Sequence, residues 1–394
     1  MTALRIGIDG TCLGSARGYG RFLRELLPPL VAGEHGHQYV VFVDRRTEVA
    51  LPDLPVEWVR PETSRPQATA AGDRSQRRLA DLRSMRRAIL AQGLSLMFFP
   101  TVFSYVPLPA RLRQAVGLYD TIAERYGRVV FSRARDRWLW RLKVRLATRR
   151  ARGFLTISEW SRRNLVEMLG LRPERIYVSP GAPAAIFEPP EDPARSERVL
   201  ESLGIAAGTP YFLYVGGRNP HKNLPRTLAA FARLTEAAPA VRFVMAGDDA
   251  TDSFHAEGRL VEQRIASLGL GGRVVSVGFV PDETLRHLYA KTLAVVLTSL
   301  EEGLGFPALE GAACGAPCIA TLRSPLPELL AGGGVFVHPE SEDEIAGAFR
   351  HLLDHPAGRR AMADRALRAA AALRWEATAT ATRRALVEIA GGTA

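Results

Sequence analysis

Cysteine is scarce in this sequence of 394 residues, and its scarcity excludes whole classes of protein. Cys12, Cys314 and Cys318 are too few and too scattered for a disulfide framework, and no metal-ligand spacing joins them to the eight histidines. We therefore expect a cytoplasmic protein from a reducing compartment, without a metal centre.

Long apolar runs are also lacking. The N-terminus MTALRIGIDG has no basic-then-apolar pattern, and no run of 18 apolar residues occurs, so neither a signal peptide nor a transmembrane helix is predicted. Apolar residues make up 47% of the chain and charged residues 24%, which is typical of globular proteins. At this length we expect two domains of roughly 200 residues each.

Acidic residues are outnumbered only in the first half of the chain. Residues 1–190 contain 31 Lys and Arg against 17 Asp and Glu, a net charge of +14, whereas residues 191–394 contain 21 against 24, a net charge of −3. A positive half favours an anionic partner, such as a phosphorylated ligand, a membrane surface or nucleic acid. The sign of the charge does not choose among these three.

Short β-branched and aromatic runs alternate with helical patterns along the chain. The first series comprises LRIGID, QYVVFVD, LSLMFF, AVGLYD, FLTIS and IYVS; after the Pro-rich stretch GAPAAIFEPPEDPARS the second comprises YFLYVGG, VRFVMAG, RVVSVGF, LAVVLTS, PCIAT and GVFVHP. The pattern predicts an α/β protein of two doubly wound, Rossmann-like domains. Since ligands of such sheets bind at the carboxyl ends of strands, we expect the functional residues to face a central cleft.

Glycines follow the first strand in GTCLGSARGYGRFLREL. Gly18 and Gly20 open a helix, where backbone N–H groups would approach a phosphate at the positive end of the helix dipole. A loop that merely needs flexible residues is an equal alternative. Asp44 ends the second strand as in a dinucleotide fingerprint, but the G-x-G-x-x-G spacing is absent, which disfavours a dehydrogenase.

Two cations share one short loop in YVGGRNPHKNLPRTL. Arg218 and Lys222 follow Gly216 and Gly217 at a strand end, with Lys222 at the predicted helix start. Arg218 would offer a planar guanidinium that donates two parallel hydrogen bonds, and Lys222 a compact ammonium group. Both types of cation neutralise the charge that builds on a departing phosphate. Surface cations are more often only solvated, and this alternative stays open.

Two carboxylates flank a glycine-rich turn in SLEEGLGFPALEGAAC. Glu302 is predicted in the loop and Glu310 about one turn into the following helix, while backbone N–H groups of Gly303, Leu304 and Gly305 would point into the same space. A carboxylate with two acceptor oxygens suits a vicinal diol. Glu310 is therefore expected to reach a ribose, and Glu302 the hydroxyls of a sugar bound over the glycines.

The order of these motifs resembles the retaining glycosyltransferases of family GT4, which have the GT-B fold. The resemblance covers nearly the whole chain, because LTISEWSRRNLVEMLG, SPLPELL, GVFVHPESEDEIAGAF and LRWEATATATRRAL also follow in the family's order. It implies an acceptor-binding domain over residues 1–188, a nucleotide-sugar-binding domain over 189–375, and a helix over 376–394 that crosses back to the first domain.

The resemblance also implies a contact for each motif. Gly18 and Gly20 would approach the donor phosphates, and Gly217 would line the same site. Arg218 and Lys222 would bind the diphosphate. Glu302 would contact the transferred sugar and Glu310 the ribose, while the backbone of Phe279 and Val280 in VGFVPDETLRHLY would contact the base. The family usually needs no DXD-type metal site. The acids of AGDDATD, residues 248, 249 and 252, are expected to be solvated.

The acceptor side departs from the family pattern. Where many members have His-Asp after a first-domain strand, VGLYDTIAERYG has Tyr119 and then Asp120. Both are predicted to contact the sugar or the acceptor, since Tyr also donates a hydrogen bond, and a structural role at the strand end is an equal alternative. A second departure is SPGAPAAIF, where relatives often have Asn-Gly-Val after a proline. The loops that form acceptor pockets in this fold, such as residues 60–74 here, have no sequence pattern from which the acceptor can be predicted.

One segment is unusually basic. RARDRWLWRLKVRLATRRAR, from Arg133 to Arg152, has nine basic residues in twenty, and Trp138, Leu142 and Leu146 recur at helical spacing. Such a helix suits an anionic membrane surface, while a core-packed helix with a solvated basic face is the commoner alternative. Nucleic acid is not expected as a partner, because neither interleaved aromatics nor a known module is visible.

These features predict a retaining enzyme that moves a hexosyl group from a nucleotide-diphosphate sugar to a hydroxyl of a saccharide, glycolipid or natural product. GDP-mannose is the favoured donor, because ARGYGRFLRELL and EEGLGFPALEG resemble the mannosyltransferase-like branch; UDP-glucose and UDP-N-acetylglucosamine come next. Neither a tightly bound cofactor nor a divalent metal is expected. A sugar-nucleotide 2-epimerase of the same fold and a non-catalytic binding protein are the alternatives.

Overall fold

The computed structural model describes residues 3–15, 18–33, 36–67, 78–235, 238–247 and 258–391. Contacts divide the chain into two compact units, one of residues 1–181 and 375–394 and the other of residues 182–374. The Pro-rich stretch that predicts the domain junction therefore lies in the second unit, just after the boundary.

The first unit is built on a parallel sheet of seven strands in the order β3-β2-β1-β4-β5-β6-β7. The strands are β1 Arg5–Asp9, β2 Gln38–Phe42, β3 Glu57–Val59, β4 Leu96–Phe99, β5 Arg113–Gly117, β6 Gly153–Thr156 and β7 Ile176–Val178. The register places Ile8 opposite both Val41 and Phe98. All three are fully buried, as expected for strands covered on both faces.

Helices of the first unit follow its strands. They are α1 Gly18–Val31, α2 Leu79–Leu90, α3 Ile122–Arg125, α4 Gly127–Val130, α5 Ala134–Arg150 and α6 Glu159–Leu169.

A second parallel sheet of six strands, in the order β10-β9-β8-β11-β12-β13, forms the other unit. Its strands are β8 Tyr211–Val215, β9 Arg242–Ala246, β10 Val274–Gly278, β11 Val295–Leu297, β12 Cys318–Thr321 and β13 Gly334–Val337. Its helices are α7 Pro193–Ser202, α8 Leu224–Thr235, α9 Gly258–Ser267, α10 Asp282–Lys291, α11 Phe306–Ala313, α12 Leu326–Leu329, α13 Glu342–Asp354 and α14 Pro356–Ala371. Phe212, Phe231, Phe243 and Phe349 pack edge to face or tilted in its core.

The closing helix α15, Trp375–Ile389, belongs to the first unit. The ring of Trp375 packs against Phe22 of α1 with a centroid distance of 5.5 Å, and Arg383 donates to the carbonyls of Pro29 and Leu30. Among the helices formed by described residues, none is both long and apolar enough to cross a bilayer.

The sheet orders confirm the predicted pair of doubly wound α/β units and fix where each can bind a ligand. Strand order reverses between β1 and β4 in the first sheet and between β8 and β11 in the second. The loops after these neighbouring strands diverge to opposite faces and leave a crevice at the carboxyl ends. The loops after β8 and β11 carry the two predicted cations and Glu302, and Glu310 follows in α11.

Candidate functional site

Two loops meet at the carboxyl ends of β8 and β11. The backbone N–H of Leu300 donates to the carbonyl of His221 at 2.8 Å, which ties the loop after β11 to the loop after β8. Because the two strands are neighbours at the reversal of strand order, their loops need no long side chains to touch.

Lys222 and Glu302 form an ion pair across these loops. The Nζ of Lys222 lies 2.7 Å from Oε1 of Glu302, and their side chains are only 20% and 10% exposed. The hydroxyl of Ser299 donates to the same Oε1 at 2.6 Å, and the backbone N–H of Glu302 donates to Arg323. Among the described residues none donates to Oε2 of Glu302, which leaves that oxygen as an acceptor.

The position of Lys222 differs from the prediction in one respect. Lys222 ends a single 3₁₀ turn, Pro220–Lys222, and α8 begins only at Leu224. The prediction of a helix start at Lys222 was therefore wrong. The reason is Asn223, whose left-handed backbone, with φ at 61°, separates the turn from the helix.

Arg218 has a different set of partners. Its guanidinium lies 2.5 Å from the carboxylate of Glu262 in α9 and donates to the hydroxyl of Ser276 in β10. Sequence reasoning missed Glu262, because nothing in a helix pattern indicates which loop a surface acid will face. The second predicted cation is thus neutralised by a carboxylate that is itself 57% exposed.

Glu310 lies inside the unit, in α11 as predicted. Its residue is 3% exposed, and the hydroxyl of the fully buried Tyr289 donates to its Oε2 at 2.8 Å. Gly305 caps α11 with φ at 88°, and a β-carbon there would approach Leu326 to 2.7 Å. This position therefore requires glycine on both conformational and steric grounds.

The remaining predicted donor contacts lie on the same strand ends. The carbonyl of Gly217 accepts a hydrogen bond from the hydroxyl of Tyr214 at 2.5 Å. Phe279, directly after β10, is 67% exposed, whereas Val280 is buried. Gly303 is half-buried and the side chain of Leu304 is buried. The roles of these residues toward a nucleotide stay predictions.

Gly20 has a structural reason to be glycine. It is buried near the start of α1, and a β-carbon at this position would collide with the carbonyl oxygens of Ser15 and Cys12. Gly18 is exposed as the first residue of α1. Close packing of α1 on the preceding turn accounts for Gly20 without a ligand, so the predicted phosphate contact rests on Gly18 more than on Gly20.

Tyr119 turns its ring into the first unit. The ring packs against Phe22 at 5.0 Å, and burial, with a smaller effect of Cys12, holds the pKa of Tyr119 well above its usual value. The hydroxyl has no hydrogen-bond partner among described residues, while the backbone carbonyl accepts from Ser161 at 2.6 Å. This arrangement favours the structural alternative for the Tyr119 ring.

Asp120 is exposed beside a carboxyl group that the sequence did not single out. One oxygen of Asp120 accepts the backbone N–H of Ile122 at the start of α3. In α3, Glu124 accepts a 2.7 Å hydrogen bond from the indole of Trp140, and burial, assisted by Asp120, raises the pKa of Glu124 to about 7.

Helix α5 carries an apolar stripe on its outer face. Trp138 is 62% exposed and Leu139, Leu142 and Leu146 are also exposed, while Val144 and Ala147 are the residues it buries. The core-packed alternative for this stripe was therefore wrong.

Some predicted features lie outside the described residues. These are the acids at 248, 249 and 252 and the second part of the acceptor loop, from residue 68 to 74. Cys12, Cys314 and Cys318 are free and buried. In the described ranges, no group of His, Cys, Asp and Glu has an arrangement that could hold a metal ion.

Comparison with known proteins places both units in one group. The family model "Glycosyl transferases group 1" matches residues 196–369, and the model "Glycosyltransferase Family 4" matches residues 16–182. Together they span most of the chain and correspond to its second and first units.

Curated relatives match at about 30% identity. An O-antigen chain mannosyltransferase B from Escherichia coli is 29% identical over 238 residues, or 59% of either chain. A D-inositol 3-phosphate glycosyltransferase from Thermomonospora curvata is 29% identical over 226 residues, covering 55% of this chain and 52% of the relative. The chain thus spans a little over half the length of these relatives.

Among solved structures, Anabaena HepE in complex with UDP-glucose has a TM-score of 0.70 at 19% identity. The superposition covers 93% of this chain and 94% of the other, which supports the GT-B fold over nearly the whole length.

Proposed function

Because the chain belongs to the group 1 glycosyltransferases of family 4, we propose that it transfers a hexosyl group from a nucleotide-diphosphate sugar to a hydroxyl acceptor with retention of configuration. The buried contact between Lys222 and Glu302 at the strand-order reversal of the second sheet is the strongest support. It places Lys222, a side chain suited to binding phosphate, against Glu302, a side chain suited to accepting from sugar hydroxyls.

In the proposed reaction the acceptor hydroxyl attacks the anomeric carbon on the face from which the diphosphate leaves. The bond from the anomeric carbon to the diphosphate oxygen breaks, the bond to the acceptor oxygen forms, and the departing phosphate takes the acceptor's proton. Lys222 stabilises the charge that develops on that phosphate, and Arg218 joins it after leaving Glu262. No protein base is required in this scheme.

Glu302 and Glu310 hold the donor in this proposal and do not transfer protons. Oε1 of Glu302 is fixed by Lys222 and Ser299, which aims the other oxygen at a sugar hydroxyl. Glu310, fixed by Tyr289, accepts from the ribose hydroxyls, and the backbone around Phe279 meets the base. Holding both ends of the donor restricts the anomeric carbon to one orientation.

GDP-mannose is the proposed donor, with UDP-glucose and UDP-N-acetylglucosamine as alternatives. The E. coli relative is named a mannosyltransferase, which supports mannose, whereas the HepE structure contains UDP-glucose, which supports a UDP donor. A saccharide hydroxyl is the proposed acceptor, bound by the first unit.

A thermal-shift screen against GDP, UDP, ADP and dTDP tests the donor site. A ligand that binds only the folded state stabilises the protein and so raises its thermal midpoint. At a ligand concentration one hundred times the dissociation constant, the gain in stability is about 2.7 kcal/mol. We expect GDP or UDP to give the largest shift. Donor turnover without an acceptor would instead support the 2-epimerase, and the lack of any nucleotide effect would support a non-catalytic binding protein.

We also propose that α5 lies on an anionic membrane surface. Trp138, Leu142 and Leu146 are spaced four residues apart and all are exposed, opposite the buried Val144. Exposed arginines flank this stripe, so lipid headgroups would meet cations while the apolar side chains enter the interface. A membrane-anchored acceptor would then be concentrated near the first unit.

Vesicle sedimentation tests this contact. The protein should pellet with phosphatidylglycerol vesicles at low salt and stay in solution with phosphatidylcholine vesicles. The variant Leu142→Glu should lose most of this binding, while Leu260→Glu, which also changes an exposed leucine but in α9, should keep it. Equal loss in both variants would remove the proposal.

A further inference from the structure

Asn223 is the one non-glycine residue with a positive φ among those the structure describes, and its side chain is fully engaged. The residue is 7% exposed, with φ at 61° and ψ at 25°. Asparagine adopts this left-handed conformation more readily than other L-residues. A left-handed residue is common after a short turn. The turn does not require the hydrogen bonds that the side-chain amide makes.

The amide of Asn223 clamps two segments that come from other parts of the sheet. Its Nδ2 donates to the carbonyl of Thr298 at 3.0 Å and to that of Pro339 at 2.7 Å, so both of its hydrogens are used. Its Oδ1 accepts from Arg226 at 2.8 Å. The loop after β8 is thereby fastened to the end of β11 and to the segment after β13.

Thr298 and Lys222 connect this clamp to the ion pair. Thr298 follows β11 immediately and begins the loop that contains Glu302, whereas Lys222 is the neighbour of Asn223 in the chain. By binding the carbonyl of Thr298, Asn223 holds the turn at Lys222 against the start of the loop after β11, in addition to the hydrogen bond from Leu300 to His221 that also joins the two loops. The ion pair joins the same two loops.

We propose that Asn223 is the positioning residue for Lys222: its amide clamp on Thr298 and Pro339 holds the ammonium group where the diphosphate of the donor binds. This rests on the proposed function, and it adds a residue for which neither the sequence motifs nor the ion pair itself gave a role. Its effect on the nucleotide passes entirely through Lys222.

Two variants separate the backbone conformation from the clamp. Asn223→Gly keeps the left-handed turn without strain and removes the amide. Thr227→Val is the control for loosening of the same joint. It removes the hydroxyl that lies 2.6 Å from that of Thr298 and that donates to the backbone carbonyl of Asn223 at 3.0 Å, and it leaves the amide of Asn223 and its two carbonyl acceptors in place.

The test is a double-mutant cycle on nucleotide affinity. Binding of UDP and of GDP is measured by calorimetry for the full chain, Asn223→Gly, Lys222→Ala, the double variant and Thr227→Val. We expect Asn223→Gly to weaken nucleotide binding roughly tenfold in the wild-type protein and less than about twofold in the Lys222→Ala variant. Thr227→Val should lower the unfolding temperature and leave the affinity within about twofold.

Each other outcome has a distinct meaning. Two outcomes overturn the positioning role and leave the diphosphate contact intact. One is that Asn223→Gly reduces nucleotide affinity equally with Lys222 present and with Lys222→Ala. The other is that Asn223→Gly loses no affinity although Lys222→Ala binds the nucleotide weakly. Unchanged affinity in Lys222→Ala, or no binding of either nucleotide to the original chain, overturns the proposed donor site and this inference with it. A loss in Thr227→Val equal to that in Asn223→Gly assigns the effect to general loosening of the joint and also overturns the inference.

Discussion

Tyr289 donates its hydroxyl hydrogen to Glu310 at 2.8 Å, and both residues are buried. The bond fixes one carboxylate oxygen toward the interior of the second unit and so sets the orientation of the other. A carboxylate held this way is a preorganised acceptor, which loses little entropy when a ligand binds. The proposed ribose contact depends on this orientation.

The ribose contact predicts discrimination between UDP and its 2′-deoxy analogue. Since a carboxylate accepts from both ribose hydroxyls, the original chain should bind UDP about tenfold more tightly than 2′-deoxy-UDP, or GDP more tightly than 2′-deoxy-GDP. Glu310→Ala should abolish the preference, as measured by calorimetry. Tyr289→Phe, which keeps the carboxylate, should retain part of it. A preference that survives in Glu310→Ala would show that another group reads the ribose.

The ion pair between Arg218 and Glu262 competes with the donor in the proposed mechanism. Removing the acid with Glu262→Gln should therefore raise the affinity for UDP or GDP by roughly two- to fivefold, the range expected for a partly exposed pair. The change should vanish in an Arg218→Ala background. Glu197→Gln, which breaks the pair with Lys291, is the control. Weaker binding in Glu262→Gln would mean that this acid holds Arg218 in its working position.

Gly305 should tolerate no side chain. Gly305→Ala adds a β-carbon at a φ of 88° and 2.7 Å from Leu326, and should cost about 2 kcal/mol, visible as a thermal midpoint lower by several degrees. Gly315→Ala has nearly the same φ, 85°, but open space around it, and should cost less. Equal shifts in the two variants would show that conformation alone accounts for the loss.

Glu124 gives stability a defined pH dependence. Its pKa is raised from 4.5 to about 7, so the folded state binds a proton that the unfolded chain releases. The free energy of unfolding should therefore fall as the pH rises from about 4.5 to about 7, by at most about 3 kcal/mol from this group. Denaturation across this range should show a flatter profile for Glu124→Gln than for the original chain. The exposed control Glu174→Gln should keep the original slope, and a Glu124→Gln profile parallel to the original would contradict this assignment.

Strand positions could be read from the sequence because buried parallel strands are continuous apolar runs. Twelve of the thirteen strands coincide with predicted runs. The exception is β3, which has three residues, begins with Glu57 and is preceded by Pro52 and Pro55, so it carries no run to detect. Its pairing with β2 supplies what its own sequence does not.

Motif residues were easier to predict than their partners. Lys222 and Glu302 were singled out separately, yet their contact depends on two loops brought together by strand order. Asn223 had a local signal, since asparagine before a helix often marks a left-handed turn, but its clamp on Pro339 spans 116 residues of sequence.

Helical periodicity gave the apolar stripe of α5 but not its direction. A stripe with period 3.6 indicates one apolar face, and in most helices that face is buried. Here Val144 and Ala147 fill the inner face, so the larger side chains point outward. Only the packing of α5 on the rest of its unit could distinguish the two orientations.

Donor turnover in Lys222→Ala tests the central claim most directly. The measurement is the rate of nucleoside diphosphate release from the donor selected by the thermal-shift screen, with an acceptor that the original chain uses. Lys291→Ala, a lysine in the same unit paired with Glu197, is the control. We expect Lys222→Ala to slow release by roughly one hundred- to one thousandfold, because the charge on the departing phosphate loses its stabilising cation, while Lys291→Ala stays near the original rate. A Lys222→Ala rate within about twofold of the original would contradict the proposed role of the ion pair in catalysis.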